Sequence, residues 1–236
     1  MKESCDVVVD IWGDFAMFTR PDCKVERATY YCPTPSACRN ILNAIYFKPP
    51  EFYYEITGIE IMNPIQTISV MKNEVKKVAT PANIKKPGYS IISSDERTQR
   101  MNTYLRDVYY RIHAKLVKRE DAPDCISISR LKAQFERRLA HGKCFTQPYF
   151  GTRECMAYFS EPDYSRDHIH DDYDFGIMLY DVFDITNNVP LNTEDKKKSC
   201  STCVSFFNAK MCDGVVNVPA WGSDELLLRK EGEDNA

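Results

Sequence analysis

The sequence predicts an α+β fold: a ferredoxin-like βαββαβ unit, RRM-like, with a long basic insertion, followed by a small antiparallel β-sheet domain. Three observations predict it. Two amphipathic helical segments alternate with short β-branched runs in the order that this unit requires. A Lys-rich stretch of weak periodicity interrupts two of the candidate strands. Beyond residue 160 the helical patterning stops and only strand-like runs remain.

Residues 5–11 (CDVVVDI) form a β-branched run suited to a strand. Residues 24–32 (KVERATYYC) alternate imperfectly and also read as a strand. Pro33, Pro35 and Ser36 punctuate the chain, and Ser36 is a suitable N-cap for a helix over residues 37–47. Ile41, Leu42 and Ile45 supply its apolar stripe, and Pro49-Pro50 ends it. Residues 52–62 and 65–70 are strand-like. Residues 71–100, with Pro81, Pro87 and Gly88, read as a flexible insertion. Residues 103–117 alternate well. Residues 126–139 are helical, with Ile128, Leu131, Phe135 and Leu139 on one face and Gly142 at the C-terminal stop. Residues 153–159 complete the unit as its last strand.

These boundaries divide the chain into residues 1–159, with 71–100 as the insertion, and a β-rich part at 160–236. The latter has strand candidates at 177–183, 204–209 and 215–218 and ends in a polar tail. No internal repeat is visible. A four-stranded antiparallel sheet of this kind leaves one face free for RNA, as RNA-recognition domains do.

The 236 residues are 43% hydrophobic, enough for a substantial core, and a 28% charged content argues against disorder over most of the chain. The net charge of −3 hides a strong polarity along the sequence. Residues 72–119 hold twelve Lys or Arg against four Asp or Glu, whereas residues 163–184 hold seven acids and only Arg166 as a cation. A basic stretch on an acidic chain is compatible with a nucleic-acid-binding face, or with a solvated loop. Nothing at the N-terminus resembles a signal peptide, and no apolar run is long enough to span a bilayer, so a cytoplasmic protein without a membrane partner is expected.

Ten cysteines without an export signal suggest reduced thiols. Cys200 and Cys203, with Cys212 further on and His168 and His170 upstream, raise a zinc site, but the spacing matches no standard one. No metal or cofactor is assigned. Glycine-rich phosphate loops, zinc-protease helices and nucleophile elbows are absent, and so is the aromatic signature of RNA-recognition domains.

Four strings stand out in order: WGDFAMFTRPDCKVERATY (12–30), PTPSACRNILNAIYFKP (33–49), TYLRDVYYRIHA (103–114) and FERRLAHGKCFTQPYFGTREC (135–155). In these the sequence resembles the CRISPR-associated proteins of Cas family five, type I-C (Dvulg) subtype. The likeness continues more weakly through GIMLYDVFDI (176–185) and FFNAKMCDGVVNVP (206–219). The resemblance implies a repeat-associated ferredoxin-like domain, a small C-terminal sheet, and a place in the Cascade complex beside its backbone and large subunits. It also implies cleavage of precursor CRISPR RNA at the base of the repeat hairpin, without a metal, with the product held by its 5′ handle. Target DNA is a further partner that such a complex meets.

Such a reaction needs a group to take the 2′-OH proton, cations for the phosphoryl oxygens and a donor for the leaving oxygen. The family pattern places an aromatic or His before the KP that follows the first helix, and Tyr46 in IYFKP matches. Its plainer reading is a helix-end aromatic packed on the sheet. A Lys-His pair expected at the start of the second helix falls on Arg130 and Leu131. Arg130 keeps the cation, Leu131 has no acid–base chemistry, and Lys132 is turned by roughly 100° along a helix. Tyr46, Arg130 and Lys132 are therefore the catalytic candidates. His141 lies at the far end of the helix, and His113, on a strand, reads as a structural histidine.

For RNA phosphates the candidates are Arg20, Lys24, Arg27, Lys48, Lys76, Lys77, Lys85, Lys86 and Arg153, each alternatively a solvated surface cation. Of Arg137 and Arg138, adjacent on a helix, one is expected to face RNA. Two function classes follow, an endoribonuclease that keeps its product and a non-catalytic cap on the 5′ handle. A zinc-dependent regulator is a third.

Overall fold

The structure is a computed structural model and describes residues 3–23, 25–123, 125–185, 189–190 and 202–230. The elements run β1 (Ser4–Ala16), α1 (Pro35–Ile45), β2 (Phe52–Ile61), β3 (Thr67–Val75), α2 (Pro81–Ile84), β4 (Arg97–Lys118), α3 (Ile128–Ala140) and β5 (Tyr158–Ser160). They continue with β6 (Tyr173–Asp181), β7 (Phe183–Asp184), β8 (Val189–Pro190), β9 (Thr202–Cys212), β10 (Val215–Asn217) and β11 (Leu227–Lys230). Among the described residues no helix is long and apolar enough to cross a membrane.

One antiparallel sheet carries nine strands in the order β11-β9-β10-β2-β4-β1-β5, with β3 added on β4 and β6 on β9. Strand β4 is its axis. It pairs with β1 from Ser4↔Val117 to Ala16↔Leu105, with β2 from Phe52↔Lys118 to Ile61↔Tyr110, and with β3 beyond that. The strands after residue 160 join the same sheet through β10, which pairs with β2 at Gly58 to Glu60. Helix α1 packs on β2 and β6, helix α3 on β1, β4 and β5, and the two helices touch.

Alternation explains the core. Val7, Val9 and Ile11 of β1 and Tyr110, Ile112 and Ala114 of β4 point at the helices and are buried. Helix α1 begins two residues before the expected start, because Thr34 rather than Ser36 caps it (Ala37 N–H to Thr34 Oγ1, 3.2 Å) and Pro35 takes the first turn, where no donor is needed. Ser127 caps α3 by accepting from the Arg130 N–H at 3.3 Å, and Leu131, Phe135 and Leu139 are its buried face.

Three local expectations change. Residues 25–32 form no strand but carry two isolated bridges, Thr19↔Thr29 and Arg27↔Asn102. Of residues 153–159 only the end becomes strand, as the three-residue β5. The 71–100 insertion starts and ends as a β3–β4 ribbon, with residues 71–75 and 97–100 in its strands and α2 near its tip. Its strands have no buried face, so the alternation that betrays a strand is missing from the sequence.

The face of the sheet opposite the helices is not open. Asp10 and Arg111 point there, bonded at 2.8 and 3.1 Å, and residues 161–172 cross over them as a strap. Asp163 donates its N–H to Asp10 at 2.9 Å and accepts from Arg111 at 2.6 Å. Further along, the Arg166 guanidinium lies 4.0 Å from the Tyr109 ring centroid, and Ile169 donates to the Ile61 carbonyl at 2.9 Å.

Candidate functional site

A cleft of about 460 Å³ opens between the C-terminus of α1 and the N-terminal half of α3, lined by Tyr46, Lys48, Glu51, Arg130, Leu131, Gln134 and Arg138 among others. Two adjacent stripes of α3 divide the work. Leu131, Phe135 and Leu139, four apart, enter the core. Arg130, Gln134 and Arg138, shifted by one residue, line the cleft.

Tyr46 is the C-cap of α1, its backbone already extended, and its N–H still donates to the Leu42 carbonyl. Its ring packs 4.9 Å from that of Phe52, and the Arg138 guanidinium lies 5.3 Å from its centroid. The Tyr54 hydroxyl donates to the Tyr46 carbonyl at 3.1 Å, and Arg138 donates to the Ile45 carbonyl at 2.9 Å, satisfying the end of α1. Burial raises the Tyr46 phenol above its ordinary value and outweighs the lowering by Lys48, Arg138 and Arg130, while Glu51 adds to the rise. The phenol therefore holds its proton at neutral pH.

Lys48 pairs with Glu51 at 2.8 Å across a tight turn, and that bond raises its pKa, so it stays cationic. The Arg138 Nε is buried with no hydrogen-bond partner. A second hollow, of about 520 Å³, shares Gln134 and Arg138 with the first and adds Arg137, His141, Lys143 and Cys144. Both arginines of the ERR run line this second hollow, and Arg138 also lines the first. Among the lining residues five cations, Lys48, Arg130, Arg137, Arg138 and Lys143, face one carboxylate, Glu51.

The structure brings Tyr46, Lys48 and Arg130 together. Lys132 lines a different recess with Asp6, Val8 and Glu161, 3.9 Å from Glu136. Leu131 is only 2% exposed and belongs to the core. His113 sits on the strap side of the sheet, 2.6 Å from Glu60. Gln134 and Lys143 carry no expectation from the sequence, although a step of four from Arg130 reaches Gln134.

The other basic candidates gather at the opposite end of β4. Arg27 lies 3.4 Å from Glu74 and bridges to Asn102 at the root of the β3–β4 ribbon. Arg20 pairs with Asp22 at 2.8 Å and lies over Tyr30. Lys76 and Lys77 follow β3, Lys77 being 3.3 Å from Glu96, and Lys85 and Lys86 are exposed beside α2. Arg153 is exposed next to Glu154, which Lys72 and the Tyr104 hydroxyl hold at 2.6 and 2.7 Å. Lys24 lies outside the described residues, as do Cys200 and the side chain of Cys203.

The family profile described as CRISPR-associated protein (Cas_Cas5), in its Cas5d form, matches residues 6–219. A Thermus thermophilus protein named CRISPR pre-crRNA endoribonuclease Cas5d is 36% identical over 234 residues, covering 95% of this chain and 96% of its own. A Mannheimia succiniciproducens protein of the same name is 34% identical, covering 92% and 96%. The crystal structure of a CRISPR-associated protein superposes with a TM-score of 0.65 at 23% identity, over 96% of this chain and 99% of that one. With a family match over nearly its whole length and relatives above one-third identity, this chain belongs to the Cas5d branch of the CRISPR-associated Cas5 proteins.

Proposed function

We propose that this chain binds the repeat-derived part of precursor CRISPR RNA, cuts it without a metal, and keeps the product by its 5′ handle inside a type I-C Cascade complex. The observation that carries this reading is Tyr46 seated in one cleft with Lys48, Arg130 and Arg138. On this reading β1, α1, β2, β4, α3 and β5 make a ferredoxin-like unit, supported by their spatial order β2-β4-β1-β5 with both helices on one face. Residues 1–159 then form the RNA-binding part and residues 160–236 a smaller β-rich part that extends the same sheet. Partners are the RNA, the backbone and large subunits, and target DNA once the complex is assembled; the setting is the cytoplasm, where such RNA is transcribed.

The chemistry is an in-line attack. The ribose 2′-oxygen bonds to the neighbouring phosphorus, the bond from phosphorus to the 5′-oxygen breaks, and the products are a cyclic phosphate and a free 5′-OH. Tyr46, a phenol kept protonated by burial, is placed to give its proton to the departing 5′-oxygen. Glu51 is the carboxylate of the cleft that can accept the 2′-OH proton. Lys48, Arg130 and the unpartnered Nε of Arg138 neutralise charge that grows on the phosphoryl oxygens.

The test is incubation of the purified chain with its own repeat RNA in EDTA. A single cut ending in a cyclic phosphate is expected, slowed by about 10²–10⁴-fold in Tyr46→Phe with binding retained. Arg130→Ala should slow cutting as well, and Lys132→Ala should change it little, because Lys132 opens on another recess. One observation favours the second reading, a non-catalytic cap on the handle: Leu131, where the family pattern has a histidine, is a core side chain. Tight binding with no cut in EDTA decides for the cap.

A further inference from the structure

Three of the four histidines cluster on the strap side of the sheet, away from the cleft. Two of them, His168 and His170, stand two apart on the strap, their ring centroids 5.1 Å apart. A third group, Asp213, comes from the turn between β9 and β10. One ligand atom from each of His168, His170 and Asp213 lies within 4.8 Å of the other two. The His170 Nδ1 is 2.7 Å from Asp213, and its Nε2 is 3.3 Å from Asp167. The other oxygen of Asp167 stands 3.4 Å from the His168 Nδ1. Asp167 therefore hydrogen-bonds the His170 ring and accepts the His168 backbone N–H beside the second ring, the carboxylate-behind-imidazole arrangement of metal sites at His170. Glu60, 4.0 Å from His168, is already held by His113 and Arg111.

The backbone under these side chains is fixed. Asp213 has φ 48° and Gly214 φ 74°. A Cβ on Gly214 would come within 1.8 Å of the Ile169 carbonyl and 2.7 Å of the His168 ring, so the turn and the strap fit against each other with no spare room. Gly214 donates to the Asp171 carbonyl and Asp213 to the Asp172 carboxylate, at 2.9 and 2.7 Å. Donor atoms around a tetrahedral zinc-sized ion lie roughly 3.4 Å apart, a spacing within reach of modest rotation of the exposed His170 and Asp213 side chains toward the half-buried His168.

We propose that His168, His170 and Asp213 form a binding site for a divalent first-row transition ion of the zinc class, which clasps the strap to the β9–β10 turn. Two imidazoles and one carboxylate suit such an ion rather than magnesium or calcium, and they leave a coordination position for water. The ion holds the strap across the sheet and takes no part in chemistry at Tyr46, so its binding does not depend on RNA cleavage.

The test uses the full-length chain, reduced and stripped with chelator, titrated with Co²⁺ as a spectroscopic probe and then with Zn²⁺. One equivalent of Co²⁺ is expected, with visible bands but no thiolate charge-transfer absorption, displaced by Zn²⁺. Asp213→Asn, a residue tolerant of positive φ, and the double variant His168→Ala/His170→Ala should each weaken binding by about tenfold or more. Cys200→Ser/Cys203→Ser/Cys212→Ser should leave it unchanged. Zinc should raise the melting temperature of the parent and of the cysteine variant but not of the other two. Absence of a bound equivalent, undiminished binding in Asp213→Asn, or a thiolate band that vanishes with the cysteines overturns the site.

Discussion

Leu131 and Arg130 are neighbours in sequence and both line the cleft, yet Leu131 is a buried core side chain in its wall and Arg130 is exposed. A one-residue step on α3 decides which side chains can do chemistry. Restoring the family histidine by Leu131→His should therefore fail as a gain of function. The imidazole would replace a side chain only 2% exposed, in the layer with Phe135 and Leu139, at a cost of about 2–4 kcal/mol. Denaturant unfolding should show the lower midpoint, and the cleavage rate in EDTA should not rise. A rate increase of tenfold or more, on the order of 1.4 kcal/mol of barrier, would show that an imidazole at position 131 turns out of the core into the cleft whose wall Leu131 forms. Tyr46 illustrates the opposite case, a buried aromatic that packs on Phe52 as a structural residue does and still lines a basic hollow.

Among the elements, the β3–β4 ribbon and helix α3 carry the positive charge at opposite ends of the 22-residue strand β4. A strand of that length has a contour of roughly 70 Å, so one RNA that touches both must follow the protein over much of its length. Lys76, Lys77, Lys85 and Lys86 are exposed, and of these Lys77 pairs with Glu96, an arrangement that suits phosphate binding and not base reading. The quadruple variant Lys76→Ala/Lys77→Ala/Lys85→Ala/Lys86→Ala should weaken repeat-RNA binding. It should also flatten the slope of log affinity against log salt by about 0.7–0.9 for each phosphate no longer neutralised, with the cut position unchanged. An unaltered slope in filter binding would assign these lysines to solvent.

On the scale of the whole molecule, one sheet with helices on one face and a strap on the other buries several groups that must stay neutral. Burial pushes the phenols of Tyr54 and Tyr110 and the thiol of Cys38 well above their ordinary values, and those of Tyr180 and Cys32 also rise. For each, the folded chain holds a proton that the unfolded chain releases. Stability is thus full below the unfolded values, about 8.5 for thiols and about 10 for phenols, and is lost as pH climbs from these toward the raised folded values. Alkaline titration should show these phenolates appearing together with loss of tertiary circular dichroism. Gradual phenolate formation in a chain that stays folded would contradict this picture. The buried pairs Arg39–Asp181 and Arg111–Asp10, each bonded at 2.8 Å, tie α1 to β6 and β4 to β1.

By itself, the sequence determined the order of the elements, because apolar spacing, caps and prolines act over a few residues: both long helices and the main strands of the first part follow from it. It also marked Tyr46 and Lys48, which share the short IYFKP string. Only the tertiary structure decided what distance along the chain conceals. Beyond residue 70 the ribbon was illegible because neither of its faces is buried, and the strap because its polar residues show no period. Tyr46 meets Arg130 and Arg138 only once α1 and α3 lie on the same face of the sheet, and His168 meets Asp213 only once β10 joins β2. Side-chain chemistry is local and readable; the convergence of side chains is set by packing, which no short window contains.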